Sequence, residues 1–414
     1  MLNERSISRL RRIDWDYPGS ASESPFSAIH WHPARLPSQI AATLIGVLSE
    51  PDDLVVDPFV GSGTCAVEAQ RLDRRFIGID VNPIACLITR AKTLAISSLR
   101  IASIVEALKH NADIAVRGGR FRTMRTTLPV VPGVQRKWYA TRVYRDLALL
   151  WDAINTAERN QRILAQAAFS AILLPVCRET RHWGYVCDNS TPKGDHERDV
   201  LDEYYRILDR FNCAYEERDA DRAARPSCRP RVPCVTVHCG DCREQLKKLR
   251  PDSVDLVITS PPYFGVSDYI KSQRLSAEWF GIEIEPIRKT EIGARSKRHR
   301  LSAAKDYVEE LNETFEIIQG ALKPDGAFAI ILGESACRES LLDQIITAMR
   351  HTGFDKALQI ERSISPQRRQ KAQITSETLL VTSKRGHSHD NTARSRRAQG
   401  HLFNTAEVLS SSGR

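Results

Sequence analysis

The chain has 414 residues, a formal net charge of +9 and a pI near 9.1, and 42% of its residues are hydrophobic. This is enough apolar material for a sizeable core, so wholesale disorder is excluded, and the length fits one large domain with an insertion, or two domains. No apolar run approaches a membrane span, and residues 1–15, with four arginines, lack the apolar centre of a signal peptide, so an intracellular, cytoplasmic protein is expected. The positive charge favours a polyanionic partner. The ten cysteines show none of the regular short spacings of a disulfide scaffold. Cys239 and Cys242 form one C-x-x-C with no matching second pair, and no metal site is assigned to them.

In chain order, residues 1–24 are expected to be a loosely ordered basic arm. A His-Pro segment around Pro33 leads into an amphipathic helix over 38–48, with Ser38 as its N-cap. Leu54-Val55-Val56-Asp57-Pro58-Phe59-Val60-Gly61-Ser62-Gly63-Thr64 follows, a short apolar strand whose glycine loop opens a helix over 65–72. Glycines there let the backbone come close to a ligand at a helix N-terminus. The spacing departs from the dinucleotide fingerprint, whose third glycine would fall at Ala66. A second strand, 75–80, ends in Asp80, and Asn82 and Pro83 start the next helix.

Residues 99–231 lack glycine loops after strands. They show helical periods over 138–156 and 160–177, a polar stretch over 179–198 and a charged linker over 216–231. Such an insertion either reads a target or simply covers the sheet. Residues 235–241 return to strand character and end in Gly240-Asp241, before a helix closing near Leu249.

The richest stretch comes next. The apolar run Leu256-Val257-Ile258 stops at Thr259, and Ser260-Pro261-Pro262-Tyr263 must leave the sheet, because proline cannot donate to a β-ladder. Strand ends of this kind are where open α/β sheets keep their chemistry. The loop offers a hydroxyl at Ser260, a carbonyl at Pro261 and an aromatic face at Tyr263. That set suits a flat ring with an exocyclic amine, such as an extruded nucleobase. Beyond it lies a basic run with Arg288, Lys289, Arg295, Lys297, Arg298 and Arg300, which is either a solvated face or a phosphate contact. A turn over 322–326, a strand over 327–332, a helix over 341–351 closed by Gly353, and strands over 358–363 and 378–382 complete the ordered chain; residues 385–414 are expected to be disordered.

With both motifs present, the chain resembles the amino-methylating DNA methyltransferases, of the cytosine-N4 and adenine-N6 family. The resemblance covers residues 25–95 and 232–384 and implies a Rossmann-like α/β fold with a mostly parallel seven-stranded sheet, interrupted by a helical insertion over 96–231 that could hold the target-reading region. It implies S-adenosylmethionine as methyl donor, held by Pro33, Asp57, Pro58, Phe59, Gly61, Gly63, Thr64, Asp80, Asn82 and Asp241. It also implies catalysis by Ser260, Pro261, Pro262 and Tyr263 on double-stranded DNA, by a monomer, in a restriction-modification setting where a cognate restriction endonuclease is an open question. Ser at position 260 favours cytosine-N4 in that family. Adenine-N6 methylation, RNA amino-methylation and a regulator that binds nucleotide without turnover stay open.

Overall fold

The computed structural model describes residues 2–17, 24–33, 35–118, 132–179, 191–194, 197–225, 232–297, 302–335, 339–364 and 374–385. Seven strands form one sheet: β1 (Leu54–Asp57), β2 (Arg75–Asp80), β3 (Val235–Cys239), β4 (Val254–Thr259), β5 (Leu322–Ser335), β6 (Phe354–Ser363) and β7 (Ile374–Lys384). Their order is β3-β2-β1-β4-β5-β7-β6. All pairings are parallel except those of β7, which runs antiparallel to both β5 and β6. This is the mostly parallel seven-stranded sheet that the sequence implied. The order reverses between β1 and β4, so the loops after these two strands open side by side.

Both faces are covered, and alternation along each strand divides its side chains between two cores. Val55, Leu256, Ile258, Ala327 and Ala329 face a core shared with Leu10, Trp15, Ile40 and Leu44. Their neighbours Val56, Val257, Phe328 and Ile330 face Leu311, Phe315 and Ile318 of the helix Ala303–Ala321, with Ile345 and Met349 of the helix Glu339–His351.

The N-terminal arm is not loose. Glu4–Arg11 is a helix capped by Asn3, Leu10 is fully buried, and Trp15 donates its indole N–H to the Leu10 carbonyl at 3.0 Å. Its arginines occupy the outer face, while a few apolar residues dock it on the sheet. The helix Ser38–Leu48 has the expected bounds, but Pro37 rather than Ser38 stands at its N-cap.

The insertion contains the helices Ser98–Asp113, Thr141–Asn155, Arg159–Ile172 and Val200–Ala223 around a third core that includes Trp138, Tyr144, Tyr204 and Phe211. Leu275 and Trp279, from the helix after the Pro-Pro loop, belong to this core, so the insertion packs against the catalytic half of the chain. The expected linker over 216–231 is helical as far as Ala223. Its charged residues are tied down: Arg218 donates to the Ile96 carbonyl at 2.6 Å and Arg222 pairs with Asp73 in a buried contact, while Tyr215 just before the linker donates to the Ala91 carbonyl at 2.7 Å. Likewise, residues 322–326 do not precede β5 but belong to it as a bulge, with Leu322 opposite Val254 and Ala327 already opposite Leu256. A bulge is where a strand tolerates proline. The expected tail after residue 385 lies outside the described residues, as does part of the polar stretch over 179–198.

Candidate active site

The loop after β1 is shaped by two glycines in the left-handed region, Gly61 at φ +50° and Gly63 at φ +83°. A Cβ on Gly63 would stand 2.7 Å from Thr89 Oγ1, so any other residue would be strained and crowded there. Thr89 Oγ1 donates to the Gly61 carbonyl at 3.1 Å, and buried Lys92 donates to that of Ser62 at 3.0 Å. The helix Thr64–Arg71 starts directly from this loop.

Acids from neighbouring strand ends meet at the loop. Asp80 accepts from Gly61 N at 2.9 Å through one carboxylate oxygen and from Asn82 N at 2.8 Å through the other. Asp57 accepts from Thr259 Oγ1 at 2.6 Å and from Phe59 N at 3.0 Å, which ties the β1 loop to the strand that carries Ser260. Burial pushes both carboxyls up to about 6. Asp241 caps the helix Cys242–Leu246; burial opposes its ionisation, but hydrogen bonds from Arg243 outweigh that and hold it below the usual range.

The Pro-Pro loop faces these groups across one cleft. Ser260 Oγ donates to Tyr263 Oη at 3.2 Å, and Tyr263 Oη donates to Glu377 Oε1 at 2.8 Å. Tyr307 Oη fixes the loop by donating to the Pro262 carbonyl at 2.9 Å. The Tyr263 ring rests on bare backbone, since a Cβ on Gly333 would come within 2.4 Å of it.

The cleft encloses about 960 Å³ of atom-free space including its mouth. Asp57, Pro58, Phe59, Gly61, Thr64, Asp80, Asn82 and Asp241 line it together with Ser260, Pro261, Pro262 and Tyr263. Pro33 and Gly63 are not among the lining residues. Gly63 acts through loop shape, and the segment around Pro33 contributes His32, Arg35 and Leu36 instead. His32 is held neutral, pushed down to about 3 by burial, and its ring stacks on Tyr269 with centroids 6.3 Å apart. Glu291 is buried in the opposite wall, accepts from Ile270 N at 2.6 Å, and is pushed up to about 8 by burial. Of the His-Pro segment read in the sequence, it is His32 rather than Pro33 that lines the cleft; Tyr269 and Glu291 in the wall, and Glu377 behind Tyr263, were not assigned from sequence, because only tertiary packing brings them to the site.

Of the basic run, Arg288 and Lys289 end the helix Ile284–Thr290, next to the wall residues Thr290 to Ile292. Arg288 pairs with Glu285 at 2.7 Å, Arg295 is exposed, and Arg295 and Lys297 bound a short 3-10 turn. Arg298 and Arg300 lie outside the described residues. Cys86, Cys239 and Cys242 are free thiols, and among the described residues no cluster of His, Cys, Asp and Glu is arranged to hold a metal ion.

Strand-end acids, a glycine loop and a Pro-Pro-Tyr loop thus line one cleft at the switch point of an α/β sheet. A family model described as DNA methylase, of the N6/N4 type, matches residues 9–90 and 254–407, more than half of the chain and both sides of the insertion, and the chain belongs to that family. It is similar to the Type II methyltransferase M.MvaI of Kocuria varians, 23% identical over 270 residues, covering 62% of this chain and 58% of the relative. It is 37% identical over 75 residues to M.Cfr9I of Citrobacter freundii, covering 18% of this chain and 23% of that one. It is 46% identical over 52 residues to M.PvuII of Proteus hauseri, covering 13% and 16% respectively. The chain therefore spans less than two thirds of the length of each of these relatives.

Proposed function

We propose that the protein is a DNA methyltransferase that moves a methyl group from S-adenosylmethionine to the exocyclic N4 amine of cytosine in double-stranded DNA. The observation that carries this reading is that the glycine loop with Asp80 and the Ser260–Tyr263 loop open into one cleft. The family model's description, DNA methylase, supports DNA as substrate, and the relatives' printed names, all Type II methyltransferases, support a restriction-modification setting.

The residues present fit the donor. Asp57, Asp80 and Glu291 line a cleft that disfavours their ionised forms, so a cationic ligand with hydroxyl donors relieves them. Each Asp80 oxygen accepts one backbone N–H and keeps capacity for a ribose hydroxyl. Asn82 Nδ2 is buried with no partner, a donor waiting for a ligand acceptor. When bound, S-adenosylmethionine supplies an electrophilic methyl group on a positively charged sulfur.

The chain's own residues prepare the acceptor. An aromatic amine is a weak nucleophile because its lone pair is delocalised into the ring. Ser260 Oγ and the Pro261 carbonyl accept its two N–H groups and favour a pyramidal nitrogen, while the Pro262 carbonyl is already taken by Tyr307. Tyr263 packs beside the extruded base. The choice of cytosine-N4 rests on Ser260, whose hydroxyl adds no second charge beside the donor's carboxylate; adenine presents a similar amine edge and is the alternative outcome. Arg288, Lys289, Arg295, Lys297, Arg298 and Arg300 contact DNA phosphates, and the insertion reads the target.

The test is transfer of a labelled methyl group to duplex DNA and, in parallel, to RNA. Label in DNA that depends on Ser260 is expected. Label only in RNA, or donor binding by calorimetry without transfer to either, would refute the proposal.

A further inference from the structure

β5, β7 and β6 lie side by side, and their register sets Gly333, Glu377 and Arg362 opposite one another in a single row. Residues paired across neighbouring strands present their side chains on the same face. Gly333 leaves the space into which the Tyr263 ring settles, and from there the phenol reaches Glu377 on the next strand. The other carboxylate oxygen of Glu377 takes Arg362 Nη1 at 2.7 Å. A directed chain of hydrogen bonds results: Ser260 Oγ to Tyr263 Oη at 3.2 Å, then Tyr263 Oη to Glu377 Oε1 at 2.8 Å. It starts at the hydroxyl assigned to the target amine and ends at a carboxylate on β7, a strand that carries no recognisable motif.

We propose that Glu377 accepts, through Tyr263 and Ser260, the proton that the target amine sheds as it is methylated. This rests on the methyl-transfer reading above. As the amine lone pair forms the new N–C bond, the S–C bond breaks and its electron pair stays on sulfur. The nitrogen would then carry a positive charge and one N–H too many. That proton passes to Ser260 Oγ, the serine's own proton to Tyr263 Oη, and the tyrosine's own to Glu377 Oε1, so the neutral base and a neutral carboxyl remain and no other reactant is required. An exocyclic nucleobase amine, whose lone pair is delocalised into an electron-poor ring, is when protonated a far stronger acid than a carboxylic acid, so transfer is downhill even to a carboxylate paired with Arg362. The Tyr263 phenol is pushed well up, by burial and then by the charge on Glu377, so it stays protonated and serves as a carrier. The Glu377 side chain is 13% exposed, which lets the proton leave to water after turnover.

Among the described residues, the groups facing Glu377 are Arg362 from β6 and Tyr263 from the loop, with Gly333 from β5 adding no charge; Arg362 in turn acts electrostatically on Tyr17. Glu377 can take the proton only as a carboxylate, so the single-turnover rate is expected to fall toward acid pH. Glu377→Gln is expected to lower the plateau rate about 10²-fold and to abolish this acid limb. Donor affinity should stay at the wild-type value, because Glu377 is outside the cleft. Tyr263→Phe, which removes one hydroxyl and keeps the ring, should also abolish the limb, and the double variant should be no slower than Tyr263→Phe alone. If Glu377→Gln fails to fold, Tyr263→Phe carries the test. A readout independent of turnover is Tyr263 ionisation in the ligand-free protein, followed by NMR of ring-labelled tyrosine, which should shift to lower pH in Glu377→Gln. Wild-type rate and pH profile in a folded Glu377→Gln, or an unmoved Tyr263 titration, would overturn the relay. A wild-type protein that methylates no amine would instead refute the reading on which it rests.

Discussion

Asp80 gives the site its sharpest residue-level signature. Its two oxygens organise the Gly61 and Asn82 amides, while burial lifts its pKa to about 6. Replacing it with Ala should weaken donor binding by about 1–3 kcal/mol, the cost of leaving buried polar partners unsatisfied, and calorimetry measures this directly. The raised values of Asp57 and Asp80 also fix a pH dependence. Both bind protons more tightly folded than unfolded, so their contribution to the stability of the ligand-free protein is complete below pH 4 and is lost as pH rises through about 6. A donor that prefers the ionised carboxylates should do the reverse: its thermal stabilisation should grow from about pH 5 to 7 and flatten in Asp80→Asn. A donor-induced shift independent of pH across that window would rule out the ionised acids as donor contacts.

At the scale of elements, strands β1, β2 and β4 and the loops after them were legible because each joins an apolar run to residues with strong backbone meaning: Gly61 and Gly63 after β1, Asn82-Pro83 after β2 and Pro261-Pro262 after β4. The N-terminal helix was not, because its three arginines, with Arg12 at its C-cap, mask the few apolar positions that dock it. Trp15 is 4% exposed in the sheet core, so Trp15→Ala should destabilise the protein by about 3–5 kcal/mol in denaturant unfolding. A loss below about 1 kcal/mol would return the arm to a loosely attached state. The helix Val200–Ala223 hid for a related reason: Arg218 and Arg222 look solvent-seeking in sequence, yet both are buried on carbonyls and Asp73. Glu377 and Glu291 were invisible for a different one, since only strand register and loop packing bring them to the site.

Over the whole molecule, the insertion core holds Leu275 and Trp279, and the basic helix end follows them in the chain before reaching the cleft wall. The insertion and the segment that leads to the cleft wall are therefore one packed unit, which would couple target reading to the chemistry if the insertion reads the target. If the basic run holds phosphates, neutralising Arg288, Lys289, Arg295 and Lys297 together should weaken DNA binding at every sequence and flatten the log-log salt dependence by about 0.9 for each phosphate that no longer has a cation against it. An unchanged slope would mark the run as a solvated face. The most direct test of the central claim is the chemical identity of the product. DNA methylated by the purified protein is digested to nucleosides and resolved by mass spectrometry against standards. N4-methylcytosine, lost in Ser260→Ala, is the expected product; N6-methyladenine would contradict the choice of base, and 5-methylcytosine would contradict direct transfer to an exocyclic amine.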